Sequence, residues 1–302
     1  MRLVFVILIF LALTLIFVFP RNFIDLSLFD SLQTDSVPND LPKLFPYPVP
    51  VENSYQVPEI SAMSAVVIDV KTGITLYQKD PNIRHFPAST VKLMTALVAL
   101  ERCSPETSIR VGAVIKDGTQ MGIAEGDVLT VESLLYGMLI ASGNDAAYVL
   151  AYSCSDSFNH FIVSMNQKAK ELKMENTHFV NPAGFDDPMQ YSSAFDLAKL
   201  AKVAVGNPLI SKIVATKSTV LADVSGTKTY YLENINELLG EVKGVEGIKT
   251  GQTEGSLEIL VTKTTRDGNT IIAVVLGSQD RFGESKQLIE WAFANHRWLA
   301  PQ

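Results

Sequence analysis

Two stretches of this chain set runs of β-forming, largely apolar residues around a turn, the pattern of β-strands. "SAVVIDVKTGITLYQ" (64–78) sets two β-rich runs on either side of a glycine-containing turn, the pattern of a hairpin. "LEILVTKTTRDGNTIIAVVLG" (257–277) repeats it, with Asp267-Gly268 at the turn. Between them the pattern takes the period of helices. Residues 90–102 predict a helix, "TVESLLYGMLIASGNDAAYVLAY" (130–152) a helix, a break and a second helix, and 155–174 and 193–206 two more. "ESKQLIEWAFANHRW" (284–298) predicts a closing helix. Strands at both sequence ends around a helical middle predict an α/β (α+β) domain. One sheet is built from both ends, flanked by helices, with a helical subdomain inserted.

Upstream the pattern breaks. Residues 3–19, "LVFVILIFLALTLIFVF", are apolar except for Thr14 and follow Arg2 and the amino group. The run reaches the short end of what spans a bilayer, and it closes in "FVFPRNF" rather than in a small-residue cleavage site. An uncleaved single-pass anchor in the cell membrane is expected, with a cleaved signal peptide as the alternative. Arg2 stays inside, while Asp25, Asp30 and Asp35 follow on the far side, a contrast that Arg21 weakens. Pro38, Pro42, Pro46, Pro48, Pro50 and Pro58 then exclude a helix interior or central strand and read as an extended spacer. The expected organisation is 1–20 anchor or signal, 21–57 proline-rich extracytoplasmic linker, and 58–298 a single domain.

A net charge of −7 over 302 residues gives no support for a nucleic-acid partner. Cys103 and Cys154 make no disulfide framework; they read more readily as buried small apolar residues, with one bridge left open. His85, His160, His178 and His296 form no ligand set at motif spacing, so no metal or cofactor is implied.

The candidate chemistry lies in the helix that begins near Thr90, which carries Lys92 among apolar residues. A buried ammonium is costly unless something shares or removes its proton. Ser89 sits three residues earlier, on the same helical face. Two further polar patterns follow in order, Ser142-Gly143-Asn144 at the break between two apolar helices and Lys249-Thr250-Gly251. Each is weak alone, because the chain contains decoys. Ser225 to Lys228 repeats SxxK, Ser157 to Asn159 repeats SxN, and Lys71-Thr72-Gly73 repeats KTG. The decoys lie in turn-like stretches or on no common helical face, and lack the apolar helix around Lys92.

In this reading Ser89 is a nucleophile that needs a base, and Lys92, desolvated and near Lys249, is that base. Ser142 relays a proton to the leaving group, and Asn144 holds Lys92 or binds a substrate amide. Lys249 supplies positive field and Thr250 binds a carboxylate. Gly251 lets the substrate approach the strand. The backbone N–H groups of Ser89 and Gln252 form an oxyanion hole. The simpler alternatives are that Ser89 caps the helix, that Lys92 snorkels to solvent, and that 142–144 is an ordinary break.

From about Pro58 to Trp298 the chain resembles the penicillin-binding D-alanyl-D-alanine carboxypeptidases, a family of serine peptidases. "PASTVKLMTAL", "GIAEGDVLTVESLLYGMLIASGNDAA", "NTHFVNPAGFDDPMQYSSAFDLAKLAK" and "GVEGIKTGQT" carry the resemblance, in that order. It implies a β-lactamase/transpeptidase-like fold, an antiparallel sheet flanked by helices with the serine helix at the junction with the inserted helical subdomain. It also implies acylation of Ser89, and a role for Arg281 in holding the substrate's terminal carboxylate, against a plainer surface ion pair. The substrate would be a peptidoglycan stem pentapeptide that loses its terminal D-Ala, with β-lactams as covalent inhibitors. Two departures stand out. The family's usual Ala-Gly after KTG is Ser256-Leu257 here, and its usual HYST is Gln190 to Ser193, "QYSS". Many relatives carry a C-terminal β-rich domain and amphipathic helix; the N-terminal segment is expected to tether this chain instead. Competing readings are a D,D-endopeptidase, a class A β-lactamase (no Glu-x-x-x-Asn segment is found between SGN and KTG), and an inactive wall-binding module.

Overall fold

The computed structural model describes residues 46–51 and 56–300. The expected anchor at 3–19 lies outside them. Among the described residues no helix is long and apolar enough to cross a membrane.

The strands are β1 (Tyr47–Pro50), β2 (Ser64–Asp69), β3 (Thr75–Lys79), β4 (Ser108–Arg110), β5 (Val128–Thr130) and β6 (Ser218–Ala222). They continue with β7 (Thr229–Glu233), β8 (Val245–Thr253), β9 (Leu257–Arg266), β10 (Asn269–Ser278) and β11 (His296–Leu299). The helices are α1 (Lys92–Arg102), α2 (Val131–Leu139), α3 (Asn144–Ser153), α4 (Phe158–Glu171), α5 (Ala194–Ala204), α6 (Pro208–Val214) and α7 (Arg281–Asn295).

The main sheet runs β3-β2-β10-β9-β8, antiparallel throughout. Strand periodicity divides its side chains between two cores. Val66, Ile68, Ile259, Val261, Ile272 and Val274 pack with α1 and the other helices of the inserted region, while Ala65, Val67, Leu260, Ile271, Ala273 and Val275 meet Leu288, Ile289 and Ala292 of α7. Because both faces are covered, β2 reads as a continuous apolar run rather than an alternating one. The 267–268 turn has Asp267 at φ 49° and Gly268 at φ 77°, the left-handed pair that a tight hairpin needs.

Local signals place the helices. Thr130, Ser157, Ser193, Asn207 and Asp280 each accept a backbone N–H at a helix start, and Pro208 follows at the first turn of α6. Helix α1 has no polar face in its first two turns, Lys92 to Ala99 being buried throughout, so it runs through the core.

Three features differ from the sequence expectations. The closing helix ends at Asn295, and 296–299 turn into β11, which pairs antiparallel with β1. Residues 47–50 therefore belong to a strand rather than to the spacer; Pro48 and Pro50 are tolerated because the two-stranded sheet has only edges. The cysteines are not separate apolar fillers. Cys103 and Cys154 are the C-caps of α1 and α3, which pack together and end side by side, and they form a disulfide across Cα atoms 5.6 Å apart.

Candidate active site

Residues Ala88–Val91 form a 3-10 turn that runs directly into α1. Ala88 has φ 45°, a left-handed conformation uncommon for alanine, immediately before Ser89. Ser89 does not cap α1, whose N-cap is Val91 without a side-chain bond. Its Oγ lies instead 2.8 Å from Lys92 Nζ. Lys92 does not snorkel: it is completely buried. Its amine also reaches Asn144 Oδ1 at 2.7 Å and Ala183 O at 2.7 Å. Burial, and then the positive charge of Lys249, hold the Lys92 amine well below the usual lysine range, against a smaller opposing pull from Asp145.

Those partners define the amine's orientation. Asn144 Nδ2 donates to Asp117 O at 3.1 Å, so its Oδ1 must face Lys92. Asn144 Oδ1 and Ala183 O can only accept. A neutral amine thus gives its two N–H bonds to them and is left with a lone pair toward the Ser89 hydroxyl. Both ends of the Asn144 amide are engaged in this way, on Lys92 and on the loop at Asp117.

The helix break between α2 and α3 holds Ser142 at φ 59°. Lys249, buried on β8, donates to Ser142 Oγ at 3.0 Å and to Thr250 O at 3.1 Å. Burial and the Arg281 guanidinium push its ammonium down to about 7. Next to Asn144, the buried Asp145 carboxylate accepts from the N–H groups of Met121 and Gly122 at 2.9 Å each and of Ile123 at 3.3 Å. That grip fixes the loop supplying Asp117 O and Thr119.

Sequence reasoning missed the loop after α4 as part of the site. Asn181 Oδ1 accepts from the N–H groups of Ala183, Gly184 and Phe185, folding the segment so that Ala183 O meets Lys92 and Pro182 O meets Thr95 Oγ1 at 2.7 Å. Gly184 has φ 96°, and a Cβ there would stand 1.9 Å from Ala88 O. Gln190, the first residue of the departure "QYSS", takes Val180 N and Asn181 N on its Oε1 and gives Nε2 to Phe185 O. The signal that could have found it is the Asn-Pro-Ala-Gly run at 181–184.

Gly251 is also required by packing within the protein itself. A Cβ on it would meet Ala88 Cβ at 3.0 Å and Ser89 N at 3.3 Å. The missing side chain lets strand β8 lie against the turn that carries Ser89. Arg281, first residue of α7, donates to Gly251 O at 3.1 Å and reaches Gln252 Oε1 at 3.5 Å, while its N–H is held by Glu258. Ser89, Thr119, Ser142, Ile235, Thr250, Gly251, Gln252 and Arg281 together line a cleft of about 250 Å³. Lys92, Asn144 and Lys249 lie beneath them. The lining has one guanidinium and no carboxylate, which suits an anionic ligand end.

The decoys are spent elsewhere. Ser225 and Lys228 bond to the carboxylates of Asp223 and Asp127 rather than to each other. Thr72 closes a turn on Asp69, with Gly73 at φ 76°. Ser157 caps α4.

Residues 51–280 match a family model described as D-alanyl-D-alanine carboxypeptidase. Among curated relatives, DacF of Bacillus subtilis is 36% identical over 246 residues, covering 78% of this chain and 63% of that protein. DacB2 of Mycobacterium tuberculosis is 30% identical over 251 residues, covering 80% of this chain and 85% of that protein. The chain thus spans less than two thirds of the DacF length. Among solved structures, the Streptomyces K15 DD-transpeptidase superposes with a TM-score of 0.75 at 32% identity, covering 80% of this chain and all of that one.

Proposed function

Because the chain belongs to the D-alanyl-D-alanine carboxypeptidase family, we propose that it removes the terminal D-Ala from peptidoglycan stem pentapeptides through an acyl-enzyme on Ser89. The observation that carries this reading is the amine of Lys92. It is completely buried, fixed by two carbonyl acceptors, and 2.8 Å from the Ser89 hydroxyl. Such an amine is a base without a solvent competitor.

The substrate's terminal carboxylate is held by Thr250 and Arg281, in the field of Lys249. Ser89 Oγ gives its proton to Lys92 and attacks the D-Ala–D-Ala carbonyl. The oxyanion that forms takes the N–H groups of Ser89 and Gln252. Ser142, whose oxygen already accepts from Lys249, has its own O–H free to turn, and relays the proton to the leaving nitrogen. D-Ala departs and water, activated by the same amine, hydrolyses the ester. Asn144 acts here by orienting Lys92. β-Lactams present the same carbonyl next to a carboxylate and acylate Ser89 without a leaving fragment.

Transfer of the acyl group to an amine instead of water is a second reading. It is favoured by the likeness to the solved Streptomyces K15 DD-transpeptidase, whose whole chain is covered. The site chemistry is shared up to the acyl-enzyme. Residues 3–19 anchor the chain in the membrane, and a linker carries the catalytic domain outside the cytoplasm. The Cys103–Cys154 disulfide supports an oxidising compartment.

Incubating the purified protein and its Ser89→Ala variant with a stem pentapeptide, with cross-linked muropeptides, and with an added amine acceptor separates these readings. Free D-Ala from pentapeptide, by wild type alone, is expected. D-Ala from the variant, or none from wild type, sinks the mechanism. Cleavage of cross-links only would mark an endopeptidase, and an amine adduct in place of the hydrolysed product a transpeptidase.

A further inference from the structure

Ile235 is out of place in the cleft. Among the residues lining it beside Ser89, the rest are polar or glycine, and Ile235 alone offers a branched alkyl side chain. It is 37% exposed and belongs to neither hydrophobic core. Nor is it a loose side chain on a wandering loop. On one side, Asn234 Nδ2 donates to Val214 O and Thr216 O, and Asn234 N–H donates to Lys217 O at 2.8 Å. On the other, the buried Asn236 donates its N–H to Asn234 Oδ1 and takes Leu238 N–H on its own Oδ1. Leu238 and Leu239 then sink into the core beneath α7. The chain therefore clamps both neighbours of Ile235 and leaves its side chain in the cleft.

We propose that Ile235 is a specificity-determining residue: it forms the apolar wall against which the methyl group of the substrate's terminal D-Ala packs. The inference rests on the D-Ala–D-Ala reading above. Around the scissile bond the substrate offers a carboxylate, two peptide groups and two methyl groups. The polar lining can satisfy the first two classes. Only an alkyl group gains by displacing water from Ile235. The two carboxylate-binding side chains, Thr250 and Arg281, line the same small space. The terminal α-carbon is bonded to that carboxylate, so its methyl is the alkyl group brought within reach of the wall.

A pocket contact with one methyl group discriminates by roughly 10- to 200-fold, and a partly open wall belongs at the low end. The test compares kcat/KM for D-Ala release from a peptide ending in D-Ala–D-Ala with glycine release from the same peptide ending in D-Ala–Gly. Wild type should favour the first by about tenfold. Ile235→Ala should bring the ratio close to one by slowing only the D-Ala substrate, and Ile235→Val should fall between. A third peptide, ending in Gly–D-Ala, reports on the penultimate methyl and should lose as much as the parent peptide does. Unfolding temperatures of the variants confirm that the folded protein is being compared. A ratio unchanged by Ile235→Ala, or an effect confined to the penultimate methyl, overturns the inference while leaving the carboxypeptidase reading intact. A wild type that releases neither amino acid overturns that reading itself.

Discussion

A lysine amine held by two carbonyl oxygens at 2.7 Å has one direction left, and in this protein that direction is Ser89. The arrangement explains why the apolar helix tolerates Lys92: burial and Lys249 disfavour its charge, and the neutral form is fully hydrogen-bonded. It also sets the pH dependence. The folded pKa of Lys92 is depressed, so the neutral base is present above it and lost as pH falls through it. Lys249 is depressed to about 7, so its positive charge is present below that value and lost as pH rises through it. The kcat/KM for a carboxylate-terminated peptide should therefore be bell-shaped, with Lys92 on the acid limb and Lys249 on an alkaline limb near 7. A flat profile from about pH 5 to about pH 9 would contradict this assignment. Ser89 and Lys92 are legible in the sequence because a lysine in an apolar helix is conspicuous, and Ser142 and Lys249 because their motifs follow in order. Ala183 O and Asp117 O are not, because a backbone carbonyl leaves no mark on residue identity, and Asp145 reads as one more helix-start acid until its three loop partners are seen.

At the scale of elements, the β8–β9 hairpin carries the clearest mark of this particular chain. Thr253 and Ser256 bond reciprocally across the turn, and Asp186 from the Asn181 loop takes Thr253 Oγ1 at 2.7 Å and Gly255 N–H at 3.0 Å. Leu257 then stands at φ 55° with an exposed side chain. The left-handed conformation suits a glycine, and costs a leucine roughly 1–2 kcal/mol. Glycine loses part of that advantage through its freer unfolded chain. Leu257→Gly should thus stabilise the protein by about 1 kcal/mol, raising the melting temperature by about 2–4 °C; a lower melting temperature would show that Leu257 packs usefully. The hairpins at 64–79 and 257–278 are readable from β-rich runs on either side of turn residues, and helices α1 to α5 from their periodicity. The β1–β11 pairing is not, since its partners lie at opposite ends of the domain and one contains two prolines. Strands β4 to β7 are short, and their partners are set by tertiary packing rather than by local pattern.

Across the whole domain, the sheet, α7 and the inserted helices converge where β8 meets the Ser89 turn. The Cys103–Cys154 bridge ties two of those helices over a separation of 51 residues. Closing a loop of that size is worth about 4 kcal/mol in the chain-entropy account, with a usual range of about 2–4 kcal/mol. Cys103→Ala with Cys154→Ala should lower unfolding stability by that much in urea melts, while the acylation rate of the folded enzyme stays the same; equal stability with and without the bridge would remove the disulfide from the account. The composition hides this pairing, because two cysteines among 302 residues announce a bridge only once α1 and α3 are known to end together. These elements meet at Ser89, where the proposed mechanism forms the acyl-enzyme. Intact-mass spectrometry after exposure to a penicillin tests that step most directly. Wild type should gain the mass of one ring-opened penicillin, located on the peptide that contains Ser89, and Ser89→Ala should gain none. An unlabelled wild type, or a labelled Ser89→Ala, would contradict the account.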